Sequence, residues 1–252
     1  MTVPGYLPYY AVLGSIGIIV AALVGLSRAL AAANWPKGQR ERAVGTAGLV
    51  LIAWLAVTGL LGWLGAYRGT ADRIPTIQFG IFLPILIGVL VYWRSAAVAR
   101  VIDAVPQQWL VGLQLFRVLG AVFLALFAVG VLPGLFALPA GLGDLAVGLL
   151  APIVATAYAR RPDERAGLVL TWNVLGIADL VVAVAIGFAT APSPVQLVAL
   201  DSPNVLISAF PLVLIPVFLV PLAILLHLAS LAKLRRSHAQ TDRPTHANVA
   251  RA

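Results

Sequence analysis

Residues 108–132 read QWLVGLQLFRVLGAVFLALFAVGVL, an apolar run with a single charge, Arg117, near its centre. As a helix rising about 1.5 Å per residue it reaches roughly 38 Å, more than the ~30 Å hydrocarbon core of a bilayer. Such a run is too long and too apolar for the core of a small soluble domain. An arginine at its middle then lies at the depth where charge is most costly.

Six further runs have the same character: 8–31, 44–66, 77–99, 139–160, 166–190 and 205–232. None alternates in polarity as the strands of a membrane barrel do. The expectation is an all-α polytopic membrane protein, a single bundle of seven transmembrane helices over 1–232. A basic tail without apolar periodicity, 233–252, is expected to be disordered and to lie on anionic lipid. No charged side chain precedes Arg28, so the first run is read as a retained helix rather than a cleaved signal.

Whole-chain composition agrees. Of 252 residues, 61% are hydrophobic and 10% charged, with a mean hydropathy of +0.99. Soluble domains run near half apolar and a quarter charged, so too little polar surface exists here to coat a water-soluble particle. The absence of cysteine excludes disulfides, thiolate metal sites and iron–sulfur clusters. The net charge of +8 does not mark a nucleic-acid partner, because the basic residues sit in the short breaks between apolar runs.

Those breaks set an orientation. Arg28, Lys37, Arg40, Arg42, Arg94, Arg100, Arg160, Arg161, Arg165, Lys233, Arg235, Arg236, Arg243 and Arg251 fall on one side; only Arg68 and Arg73 fall on the other. Positive residues concentrate on the cytoplasmic side, which predicts the N-terminus outside, the C-terminus inside and a multi-pass protein of a bacterial-type inner membrane. Tyr6, Tyr9 and Tyr10 would mark the outer interface, and Trp35, Trp93 and Trp109 the inner one. Small residues at fourfold spacing, Gly17, Ala21 and Gly25, suggest close helix packing.

Four ionisable residues fall inside spans: Arg117, Asp144, Asp179 and His227, with Gln114 and Asn173 as uncharged companions. Counting from the helix ends places Arg117 about 15 Å, Asp179 about 20 Å and Asp144 about 22 Å above the cytoplasmic face. The two acids share a level, within reach of the arginine from below. Gln114 and Arg117, three apart, point the same way. The expectation is that Arg117 faces Asp144, Asp179 or both inside the bundle. His227, six residues before Lys233, is expected near the cytoplasmic interface as an accessory group. Pro211, Pro216 and Pro221 should kink or unwind the seventh helix. A short echo, Arg117-Val-Leu-Gly120 against Asn173-Val-Leu-Gly176, links the fourth and sixth runs.

No cofactor is expected. A membrane haem wants a second intramembrane histidine, zinc wants a ligand spacing that is not present, and retinal wants a deep lysine. Gly141-Leu142-Gly143-Asp144 resembles the GxGD motif of the intramembrane aspartyl proteases related to presenilin and the prepilin peptidases. That resemblance implies Asp144 as one of a proton-sharing carboxyl pair, with Asp179 as its partner. The chain departs from the family in order, since Asp179 follows the motif. It also offers Val220-Pro221-Leu222-Ala223 where a Pro-Ala-Leu motif is expected.

Three functions stay open on these residues. The first is a non-enzymatic protein that binds or translocates a small solute, an ion or a proton through the Arg/Asp cluster. The second is an aspartyl-type intramembrane hydrolase; the third is a structural or assembly subunit. Lipid is the expected surrounding partner, and the sequence carries no sign of oligomeric state.

Overall fold

The computed structural model describes residues 4–241. Among the described residues, seven helices are long and apolar enough to cross a membrane: Leu7–Ala32, Lys37–Trp63, Ile77–Arg94, Gln107–Ala128, Gly134–Arg160, Pro162–Thr190 and Ile215–Ser237. In element terms these comprise α1 (Leu7–Ala32), α2 (Lys37–Trp63), α3 (Ile77–Arg94), the segment holding α5 (Gln107–Gly112) and α6 (Ala121–Ala128), α7 (Gly134–Arg160), α8 (Pro162–Thr190) and α9 (Val220–Thr241). The expected all-α membrane bundle is the observed architecture. Basic residues gather where α1, α3, α7 and α9 finish and where α2 and α8 begin, and that side is called the basic end below.

The inner helices are the fourth to seventh spans. α7 packs on α8 and along the whole fourth span, while α9 lies against α8, α5 and α3. The seventh span is 61% buried, whereas the second and third are 11% buried and therefore form the lipid-facing perimeter. Leu49, Trp93 and Leu197 on the outside are more than two-thirds exposed. In water that would be untenable, but against acyl chains it costs nothing. Helix association here rests on close packing rather than on expulsion of water.

Two of the four apolar clusters among the described residues fill most of the interior. One surrounds Phe123, Leu126, Phe136, Leu212 and Phe218, with the Phe123 and Phe136 rings edge to face at 5.1 Å. The other, at the basic end, surrounds Val111, Ala151, Val154, Val169 and Trp172. Buried polar side chains lie between and beside them.

Four local features differ from the sequence expectation. The third run ends at Arg94, not 99. Ser95 is extended and its Oγ accepts from Val98 N at 3.3 Å, capping a separate short helix, α4 (Ala96–Ala104), with no buried residue. The seventh run begins as a helix only at Ile215, not 205. Before it, Val205 is exposed, Leu206–Ser208 form a short 3-10 turn, and the irregular backbone that follows is enclosed, with Leu212 and Val213 fully buried; irregular backbone at this depth is sustained by such enclosure.

Of the three prolines, Pro211 precedes the helix, Pro216 lies in a wide π-helical turn, Ile215–Leu219, and Pro221 stands in the first turn of α9. The perturbation therefore opens the start of the span instead of bending its middle. At the other end α9 continues through Thr241, so residues 233–241 are helical and not the disordered segment expected. Residues 242–252 of that tail lie outside the described residues.

The fourth span holds the fourth difference. Between α5 and α6, residues Leu113–Gly120 form a 3-10 helix in the middle of the span. Three residues per turn make i and i+3 eclipse. Gln114, Arg117 and Gly120 accordingly form the buried edge of this segment.

Candidate functional site

Arg117 is 2% exposed, and each of its three nitrogens has a partner. Nε donates to Asp144 Oδ1 at 2.8 Å, Nη1 to Gly176 O at 3.0 Å, and Nη2 to Asp179 Oδ2. A guanidinium is planar with donors along two edges, so one side chain from the fourth span holds carboxylates from both α7 and α8. The structure thus brings together the three charged residues that depth counting places within reach of one another, two acids near one level and the arginine about a turn below. The side chains of Asp144 and Asp179 are 10% and 19% exposed.

Glycines make the approach possible. A Cβ on Gly120 would run into the Asp144 carboxylate, and a Cβ on Gly143 would run into that of Asp179. The glycines of the Gly141-Leu142-Gly143-Asp144 stretch hence serve helix contact: Gly141 meets Leu124, Gly143 meets Asp179. Gly17, by contrast, has nothing within 4 Å, and with Ala21 it lines an open groove instead of a tight helix contact.

The charges do not balance. Two carboxylates face one guanidinium, which leaves a surplus of one negative charge in a water-poor interior. A buried pair already gives back much of its attraction as lost hydration. The hydrogen bonds to both acids and to Gly176 O offset part of that cost, and the surplus is available to a cation or proton.

Asp144 also reaches a cavity. Its volume is about 40 Å³, and its walls include Phe123, Phe136, Leu180, Ile215 and Pro216, with Ser208 as a polar neighbour. That is room for roughly three water molecules. A smaller space of about 10 Å³ touches Arg117, Gly120 and Asp144 together. Among the described residues lining the larger cavity, Asp144 is the one charged group, so the cavity is an apolar chamber ending at a carboxylate. It lies on the side of the site away from the basic end, since it extends to Gly187, Ala191 and Ile207.

The uncharged companions fall as follows. Gln114 is fully buried and donates through Nε2 to Ala223 O at 2.9 Å, one turn of 3-10 helix from Arg117. Asn173 is fully buried and bonds Val169 O, Ser230 Oγ and His227. His227 departs from expectation: it is 0% exposed and stands beside Gly176 and Arg117, not at the interface. The count from Lys233 placed it too shallow because α9 does not end there. No group of three or more His, Asp or Glu among the described residues has the geometry to hold a metal ion.

Two contributors were not foreseen in these positions. Gln107 donates through Nε2 to Ser230 Oγ at 2.6 Å and to Ser230 O at 3.2 Å, extending the buried polar groups toward the basic end. Tyr10, expected in an interfacial belt, donates its hydroxyl to Leu119 O at 2.8 Å, close to the end of the 3-10 segment. The only hint for Gln107 was its place just after Pro106 at a helix start. Nothing local separated Tyr10 from Tyr6 and Tyr9.

A family model described as a domain of unknown function (DUF8737) matches residues 74–235, more than half of the chain, and the chain belongs to that family. The matched segment contains Gln114, Arg117, Asp144, Asn173, Asp179 and His227, while α1, α2 and therefore Tyr10 fall outside it. No curated protein matches the chain, and no solved structure matches it.

Proposed function

We propose that this member of the DUF8737 family is a non-enzymatic carrier that binds and moves a small solute or a proton through the Arg117–Asp144–Asp179 cluster. The carrying observation is the unbalanced triad itself: two carboxylates on one buried guanidinium, with Asp144 also forming the end of a cavity. Intramembrane acids that serve only as glue are best paired one to one, and a surplus charge needs a visiting positive partner. The basic end is assigned to the cytoplasm of a cytoplasmic membrane, since positive loops are retained on that side.

A proton-sharing aspartyl dyad is the weaker reading. Such a dyad works because two carboxyls without a counter-ion cannot both ionise. Here the guanidinium bridges them and favours two carboxylates.

The test is flux in proteoliposomes. Purified protein with an internal pH dye, and potassium with valinomycin to balance charge, should collapse an imposed pH gradient or do so when a transported solute is added. Asp144→Asn and Asp179→Asn should each abolish this. Undiminished flux in both variants would remove the cluster from the pathway.

A further inference from the structure

His227 has one nitrogen accounted for and one that is not. Asn173 donates through Nδ2 to Val169 O at 2.8 Å and to Ser230 Oγ at 2.9 Å, which uses both of its amide hydrogens. Only its oxygen is left for the imidazole, and Asn173 Oδ1 lies 2.9 Å from His227 Nδ1. An acceptor there requires the ring proton on Nδ1. The neutral ring then presents a bare lone pair at Nε2.

That nitrogen is fully buried and has no hydrogen-bond partner among the described residues. It faces Gly176: a Cβ at this position would lie 2.6 Å from His227 Nε2 and 3.4 Å from Arg117 Nη1. Gly176 O is itself an acceptor for Arg117 Nη1. The basic nitrogen and the guanidinium therefore meet across one glycine. Asp179 is three residues from Gly176 on α8, hence on the same face.

The groups around His227 are few. Arg117 faces it from the 3-10 segment, Asn173 from α8, and the Trp172 ring lies 5.0 Å away, centroid to centroid. Asp144 on α7 and Asp179 on α8 stand behind the guanidinium. With a neutral His227 these four titratable groups sum to a charge of minus one, and one proton brings them to zero.

The proton has addresses on both sides of the guanidinium, the two carboxyls on one and His227 on the other. Asp144 lines the cavity away from the basic end. His227 leads the other way, through Asn173 and Ser230 to Gln107, the first residue of α5. Gln107 Oε1 and His227 Nε2, the two ends of this ladder, are both buried acceptors without partners among the described residues.

We infer that His227 Nε2 is a second proton-binding site, on the basic-end side of the triad, exchanging one proton with the Asp179 carboxyl. In the exchange the O–H bond of the Asp179 carboxylic acid breaks and an N–H bond forms at Nε2. The products are a carboxylate and an imidazolium, and the total charge is unchanged. Arg117 stays cationic and turns its hydrogen bonds to whichever carboxylate is ionised. The inference rests on the Arg/Asp carrier reading and specifies its cargo as the proton.

Two measurements test it. The protein with His238→Gln and His246→Gln keeps His227 as its single histidine. In that form, labelled with nitrogen-15 in liposomes at alkaline pH, the spectrum should show a protonated Nδ1 and an unprotonated Nε2; a protonated Nε2 in the neutral ring overturns the inference. In the flux assay His227→Gln should lose proton movement as fully as Asp179→Asn does. Flux unchanged in His227→Gln but lost in Asp179→Asn overturns this inference alone. No proton movement by the unmodified protein also overturns this inference and leaves solute carriage standing, whereas flux unchanged in both variants removes the carrier reading with it.

Discussion

The carboxylate of Asp179 fills the space in which a side chain at position 143 would begin. Position 143 cannot gain a side chain while Asp179 stays in place. Gly143→Ala should separate α7 from α8 at this level, pull Asp179 from Arg117, and lower stability by about 1–3 kcal/mol, the usual range for overpacking. Thermal unfolding in detergent reads the loss. Adding Asp179→Ala to Gly143→Ala should cost less than the sum of the two single changes, because the clash is already gone.

Removing Arg117 should be far more damaging than its one charge suggests. Arg117→Ala leaves two acids near one another with no counter-ion, and breaking a buried pair from one side costs about 3–5 kcal/mol. In double-mutant cycles Arg117 should couple to Asp144 and to Asp179. Strictly additive effects would mean that these groups do not act as one unit.

Tyr10→Phe isolates a single bond. The phenol donates to Leu119 O across from α1, and its loss should cost about 0.5–1.5 kcal/mol while leaving the ring packed where it is. A change below detection in unfolding would show that Leu119 O finds another donor.

Sidedness can be read chemically because the chain has no cysteine, so that one added thiol is the sole target. Val195→Cys lies in an exposed stretch away from the basic end, and Gly38→Cys lies at the basic end with open space around it. A membrane-impermeant thiol reagent applied to intact cells should label the first and spare the second. The reverse pattern would invert the assigned orientation.

The bundle and its charged triad were legible in the sequence for one reason. Depth in a bilayer is a count of residues, and Arg117, Asp144 and Asp179 had no lipid-compatible alternative to one another. His227 was misplaced by the same counting, because Lys233, Arg235 and Arg236 look like a helix end although α9 carries them onward. The echo of Arg117-Val-Leu-Gly120 in Asn173-Val-Leu-Gly176 turns out to bring its end residues to the site: Arg117 and Asn173 are buried there, Gly120 abuts Asp144, and Gly176 abuts His227, while Val174 and Leu175 face outward. Leu/Val/Gly composition alone had hidden that. The late start of the seventh span and the 3-10 segment depend on enclosure by neighbours such as Gly148, which approaches Val118 N, and no local residue pattern announces either.

The 3-10 segment has a mechanical corollary. Eight residues at a rise of about 2.0 Å instead of 1.5 Å make Leu113–Gly120 roughly 4 Å longer than the same residues wound as an α-helix. Each residue would also turn through about 100° instead of 120°, so rewinding the three steps from Gln114 to Arg117 would swing the two side chains apart by roughly 60°. The fourth span is thus a stretched, overwound screw: relaxing it into an α-helix would shorten the span and rotate the guanidinium off its carboxylates in one motion.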